Sequence, residues 1–102
     1  MAEQRRHHRI PVSLAIVCVP ADGDSFEGSA KDISIGGMFV ECDRALPFGT
    51  PLTIVVPNVA ARELRLPAIV RWSHPHGFGA QFGMLGAYAT HVIVELVKKT
   101  PS

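Results

Sequence analysis

The chain has 102 residues, a formal net charge of +1 and 47% hydrophobic residues, which fits one small domain with its own core and argues against wholesale disorder. The nearly neutral charge argues against a protein that coats nucleic acid or an anionic membrane surface, so we expect no DNA or RNA partner. Membrane insertion is not expected either, because residues 77–94, which contain no Asp, Glu, Lys or Arg, include four glycines and are a poor spanning segment.

Residues 1–9 read as a short basic arm, with three arginines against one glutamate and no apolar periodicity. We predict that this arm is flexible and that residues 10–102 form the domain. The start of the chain has no signal-peptide pattern, so we expect a cytoplasmic protein. Cys18 and Cys42 are predicted to be buried thiols rather than a disulfide or a redox pair.

Six strand-like segments follow the arm, each bounded by turn-forming residues. They are 10–19, 25–33, 38–42, 51–56, 63–73 and 78–82. Six short antiparallel strands in so short a chain favour a small closed barrel, since closure removes exposed strand edges. Alternation along the fifth segment places Leu64, Leu66, Val70 and Trp72 on one face, and we predict that Trp72 belongs to the core.

The hydrophobic period changes to 3.6 near the C-terminus and predicts a helix over about 86–99. Tyr88, Val92 and Leu96 form its apolar stripe, which we expect to pack on the barrel, with a dimer interface as the alternative. Thr100 and Pro101 end the helix. The predicted fold class is all-β with one C-terminal helix, a six-stranded antiparallel β-barrel, present as a monomer or weak dimer.

The turn after the second strand carries Asp32, Ser34, Gly36 and Gly37. If Ile33 points into the core, strand alternation turns Asp32 and Ser34 outward together. The carboxylate can then accept hydrogen bonds from guanine, while the hydroxyl and the backbone N–H groups near the glycines suit a phosphate. A serine or Asx turn that satisfies its own backbone is the alternative, and it is compatible with ligand binding.

Arg5 and Arg9 stand four residues apart just before the first strand. Guanidinium groups match the O6/N7 edge of guanine, stack on bases and pair with phosphate oxygens. Two of them on one arm can therefore hold opposite sides of an anionic purine ligand. A solvated basic terminus is the alternative.

Taken together, these motifs and the strand pattern resemble the PilZ domain, the bacterial receptor module for cyclic di-GMP. The resemblance covers nearly the whole chain and includes the Val-Arg-Trp segment at 70–72 and the Gly-rich segment at 77–82. In that family two arginines, an Asp or Asn, a Ser and a Gly form the nucleotide site. The resemblance therefore implies a cyclic di-GMP site formed by Arg5, Arg9, Asp32, Ser34 and Gly37. Gln4, Arg6 and Gly36 are secondary candidates, and Gln4, which precedes the first arginine, leaves open whether one nucleotide or a stacked pair binds.

The resemblance also implies a stand-alone signalling receptor or adaptor with no cofactor besides its ligand, cyclic di-GMP. Its arm is expected to change conformation on binding and to regulate an effector protein, in motility or biofilm formation. The alternative is a nucleotide-independent PilZ-like interaction adaptor, for example in pilus assembly. Such barrels typically lose the arginines or the Asp-x-Ser motif, and this chain retains both.

Neither an enzyme nor a metal site is expected from the sequence. Ser34 lacks the pattern of a nucleophile elbow, and the Gly77-x-Gly79 segment fails the dinucleotide fingerprint because Phe82 occupies the third glycine position. The five histidines have no spacing typical of zinc sites.

Overall fold

The computed structural model describes residues 9–57 and 63–99, which form six strands followed by one helix. The elements are β1 (Ile10–Pro20), β2 (Phe26–Ile33), β3 (Gly37–Glu41), β4 (Pro51–Val56), β5 (Leu64–His74), β6 (Gly77–Phe82) and α1 (Ala87–Lys99). All neighbouring strands are antiparallel, and they close into a barrel in the order β1-β2-β3-β6-β5-β4. The predicted barrel with a C-terminal helix is confirmed, and each predicted boundary lies within one residue of the observed one.

Inward-facing aliphatic side chains from all six strands fill the barrel. The most deeply buried include Ile16, Ile33, Val40, Ile54, Leu66, Val70 and Phe78. The helix α1 lies next to β5, where Val92 and Ile93 are buried and Tyr88 and Leu96 pack partly buried against the core. Packing of the apolar stripe on the barrel is therefore confirmed.

Two β-bulges change which side chains face the core, because a bulge sets two residues against one on the neighbouring strand and interrupts the alternation. In β2 the register shifts between Ala30 and Asp32, so Ala30 and Ile33 are both fully buried although they are three residues apart. In β5 the register shifts between Val70 and Trp72. Trp72 is consequently 48% exposed, and its predicted place in the core is wrong.

The two cysteines are free thiols, Cys18 buried and Cys42 half-buried. Across 9–57 and 63–99, no three His, Cys, Asp or Glu side chains are grouped so that they could hold a metal ion. Within the same ranges, no helix has both the length and the apolar character needed to cross a membrane.

Candidate functional site

An arginine and an aspartate meet where β1 begins and β2 ends. Ile10 pairs with Ile33 across these strands, which brings Arg9 beside the last residues of β2. Arg9 Nη1 donates a hydrogen bond to Asp32 Oδ1 at 2.6 Å, and both side chains are about one-third exposed, at 34% and 35%. The same Oδ1 accepts a hydrogen bond from the Phe39 backbone N–H at 3.2 Å. Asp32 is thus held in place by two donors while its carboxylate remains accessible to a ligand.

Ser34 closes the turn that connects β2 to β3. Its hydroxyl oxygen accepts hydrogen bonds from the backbone N–H groups of Gly36 at 3.1 Å and Gly37 at 3.2 Å, and it donates to the Gly37 carbonyl at 3.4 Å. Ser34 is only 3% exposed, so its predicted outward orientation is wrong. The strand ends at Ile33, and strand alternation therefore does not extend to Ser34. The serine turn that satisfies its own backbone is the arrangement present here.

Position 37 requires a glycine because β3 packs closely on β6. A Cβ atom at this position would collide with the carbonyl oxygen of Ala80. The turn is also tied to β6 because the Phe82 N–H donates to the Gly36 carbonyl at 2.9 Å. The glycines therefore fix the Ser34 turn against the barrel wall, next to the Arg9–Asp32 pair.

An aromatic pair, Phe39 and Trp72, lies on the outer face of the barrel beside Asp32. We call this pair the aromatic platform. The two rings stack with centroids 5.3 Å apart and planes 13° apart, although Phe39 belongs to β3 and Trp72 to β5. Gly79 of β6 lies between them and pairs with both; a Cβ atom there would collide with the indole ring.

The aromatic platform and the Asp32 carboxylate are cross-strand neighbours. Phe39 is the register partner of Asp32 in β3, and residues directly opposite each other lie side by side on the sheet. The ring of His74 meets the Phe39 ring edge-on, with centroids 5.8 Å apart. A flat, partly exposed aromatic surface beside a carboxylate and a guanidinium suits a planar ligand with polar edges and negative charge.

The structure brings together only part of the predicted site. Arg9 and Asp32 are in direct contact, and Ser34, Gly36 and Gly37 form the adjoining turn. Gln4, Arg5 and Arg6 lie outside the described residues.

Sequence reasoning missed the aromatic platform. The available signal was Gly79 in β6, which leaves no side chain on the surface between Phe39 and Trp72.

The sequence matches the family model described as PilZ domain over residues 3–99. No curated protein matches the chain.

Several solved structures share the fold. The PilZ domain of CeSA from a cellulose-synthesizing bacterium is 25% identical, with a TM-score of 0.74 over 90% of this chain and 96% of that chain. The PilZ domain of Escherichia coli YcgR, solved with c-di-GMP, is 15% identical, with a TM-score of 0.77 over 95% of this chain and 91% of that one. The Bacillus subtilis inhibitor of motility MotI/DgrA is 17% identical, with a TM-score of 0.76 over 96% of this chain. The chain spans about half of MotI/DgrA, 51% of its length.

Proposed function

The chain belongs to the PilZ domain family, and we propose on that basis that it is a receptor for cyclic di-GMP. The observation that carries the proposal is the contact of 2.6 Å between Arg9 and Asp32, beside the aromatic platform. This contact supports the proposal because a cation suited to a phosphate, an acceptor suited to a guanine edge and a stacking surface suited to a base lie within one small area. The YcgR domain with the same fold was solved with this nucleotide.

Asp32 is proposed to read the guanine base. Guanine presents N–H donors on its Watson–Crick edge, and a carboxylate is an acceptor with two oxygens. Oδ1 is occupied by Arg9 and the Phe39 N–H, whereas no donor from the described residues reaches Oδ2. That second oxygen is therefore the acceptor we assign to guanine.

The aromatic platform is proposed to carry the face of the base. Trp72 is 48% exposed, so one side of the stacked pair is accessible to a ligand. Stacking of a base on an aromatic side chain contributes about 1–3 kcal/mol. Phe39 contributes its ring to the aromatic platform and its backbone N–H to the Asp32 carboxylate. One residue therefore positions both the stacking surface and the acceptor for the base edge.

The phosphates are proposed to be bound by Arg9 and Arg5. Arg6 and Gln4 are secondary candidates for the same contacts. Ser34 would have to break its three hydrogen bonds within the turn to contact a phosphate with its hydroxyl. We therefore assign to Ser34 and Gly37 the role of holding the turn that supports Asp32.

Ligand binding is proposed to fold the arm onto the site and to present a new surface to an effector protein. Fixing each arm residue costs about 1–2 kcal/mol, and each charge-assisted hydrogen bond to the nucleotide offsets about 1.5–3 kcal/mol. The two contributions are of similar size, so hydrogen bonds to the ligand can offset the entropic cost of fixing the arm. The cytoplasmic location predicted from the sequence, and a role in motility or biofilm formation, fit such a receptor.

Isothermal titration calorimetry with cyclic di-GMP and cyclic di-AMP tests the proposal. We expect cyclic di-GMP to bind and cyclic di-AMP to bind more weakly, and we expect Asp32→Ala to reduce this preference. The same preference in the variant would refute the assignment of base recognition to Asp32. Absence of cyclic di-GMP binding to the unaltered chain would refute the receptor and favour the nucleotide-independent adaptor.

A further inference from the structure

The strand β2 has an unpaired edge at its beginning. Residues 26–28 pair with β1 on one side, but pairing with β3 on the other side begins only at Ser29, opposite Glu41. A Cβ atom at Gly28 would lie 3.2 Å from the Glu41 carbonyl oxygen, so the open edge comprises residues 26 and 27. After Glu41 the backbone departs from β2, since the Cys42 N–H donates to the His76 carbonyl at 2.9 Å. An unpaired strand edge is a template on which another extended chain can add hydrogen bonds.

This edge opens into a groove large enough for a peptide. The groove has a volume of about 640 Å³ and is lined by residues 26–29 and 41–44. It adjoins a hollow of about 390 Å³ at the end of the barrel, with Phe26 and Arg44 lining both. The hollow has apolar walls that include Pro20, Leu46 and Pro47, and these can receive an apolar side chain.

The charge of this combined groove is negative although the chain as a whole carries +1, and Lys31 pairs with one of its acids, Glu41, at 3.6 Å. Five of the nine acidic residues of the chain line it, against one of the ten basic residues. The acidic residues are Asp22, Asp24, Glu27, Glu41 and Asp43. The basic residue is Arg44, whose guanidinium lies over the Phe26 ring at 4.9 Å.

We propose that this groove binds an extended, basic segment of a partner protein, which adds to β2 as a short strand. Its backbone pairs with residues 26 and 27, its Lys or Arg side chains face Glu27 and Asp43, and an apolar side chain enters the hollow. The near end of the groove, at Ser29 and Glu41, is three residues from Asp32 along β2 and two from Phe39 along β3, roughly 10 and 7 Å at the rise of a strand. The groove adjoins the nucleotide site but shares no lining residue with it, and the inference does not depend on nucleotide binding.

The test is an NMR titration of the ¹⁵N-labelled chain with the capped peptide Lys-Val-Arg-Leu-Lys-Val. We expect shifts of the amide signals of residues 26–28 and 42–44, with an affinity that falls as salt is added. A peptide with Glu in place of each basic residue should not bind. A basic peptide with Pro in place of Leu should bind several-fold more weakly, because proline lacks an N–H to donate. No shifts at these residues, or equal binding of either control peptide, would overturn the proposal.

Variants of the chain locate the binding surface. The double variant Glu27→Gln with Asp43→Asn should weaken binding of the basic peptide roughly three- to tenfold at low salt. Arg44→Ala should strengthen it, an effect that partial unfolding cannot produce. Glu63→Gln, which removes an acid outside the groove, should leave the affinity unchanged. A double variant that binds as well as the unaltered chain would refute this location, whatever the outcome of the cyclic di-GMP titration.

Discussion

Replacing Arg9 by alanine separates the binding role of this residue from its contribution to stability. The substitution removes the 2.6 Å contact with Asp32, but the Phe39 N–H continues to donate to the carboxylate. Because both side chains are about one-third exposed, the pair contributes about 0.5–1 kcal/mol to the free energy of unfolding. For a domain of this size the melting temperature should fall by about 2–8 °C, and the protein remains folded.

The effect of Arg9→Ala on cyclic di-GMP binding should be much larger. Loss of one charge-assisted hydrogen bond to the ligand, about 1.5–3 kcal/mol, weakens the affinity by about 10- to 150-fold. Calorimetric titration and differential scanning calorimetry in the same buffer measure the two effects separately. Arg65→Ala is the matched control, since Arg65 makes a contact of 2.7 Å with Glu63 outside the site, and it should leave the affinity unchanged. An unaltered affinity in Arg9→Ala would refute the reasoning.

Three further expectations concern packing and titration. Gly37→Ala should lower the free energy of unfolding by about 2–3 kcal/mol in urea denaturation. Gly86 has open space around it, so Gly86→Ala should have little effect. Equal stability of the two variants would contradict the packing role of Gly37. Trp72 is the single tryptophan, so binding of cyclic di-GMP to the aromatic platform should quench the intrinsic fluorescence. Gly79→Ala displaces the indole and should remove most of this quenching. Full quenching in Gly79→Ala would argue against base stacking on the platform. Burial raises the pKa of Cys18 from 9.0 to about 12, so the free energy of unfolding should fall as the pH rises from 9, since the unfolded thiol ionises first. This fall should be smaller in Cys18→Ala, and an identical alkaline profile would rule out Cys18 as its source.

The architecture was predictable because it depends on local patterns. Alternating apolar residues mark strands, the 3.6-residue period around Val92 marks the helix, and Gly and Pro residues mark the turns between them. A barrel with six short strands then follows from the need to cover exposed edges. The boundaries were accurate since each strand ends close to a Pro, Gly or Asp that the sequence displays.

The site was only partly predictable. The order of the motifs indicated Arg9 and Asp32, and the register of β1 on β2 brings them into contact. The burial of Ser34 was missed because strand alternation was continued one residue past the end of β2. The exposure of Trp72 was missed because the bulge in β5 arises from its pairing with β6. The sequence of one strand does not reveal the register of its pairing with another.

The sequence by itself therefore determined the number and type of elements and most of the barrel core, and it indicated an arginine and an aspartate as candidate site residues, since these depend on local periodicity and side-chain chemistry. The tertiary structure alone decided which side chains meet across strands. It placed Phe39 against Trp72 over Gly79 and left residues 26–28 without a β3 partner. The physical reason is that strand register and bulges are set by packing between distant segments, where one shifted residue reverses the face that a side chain presents.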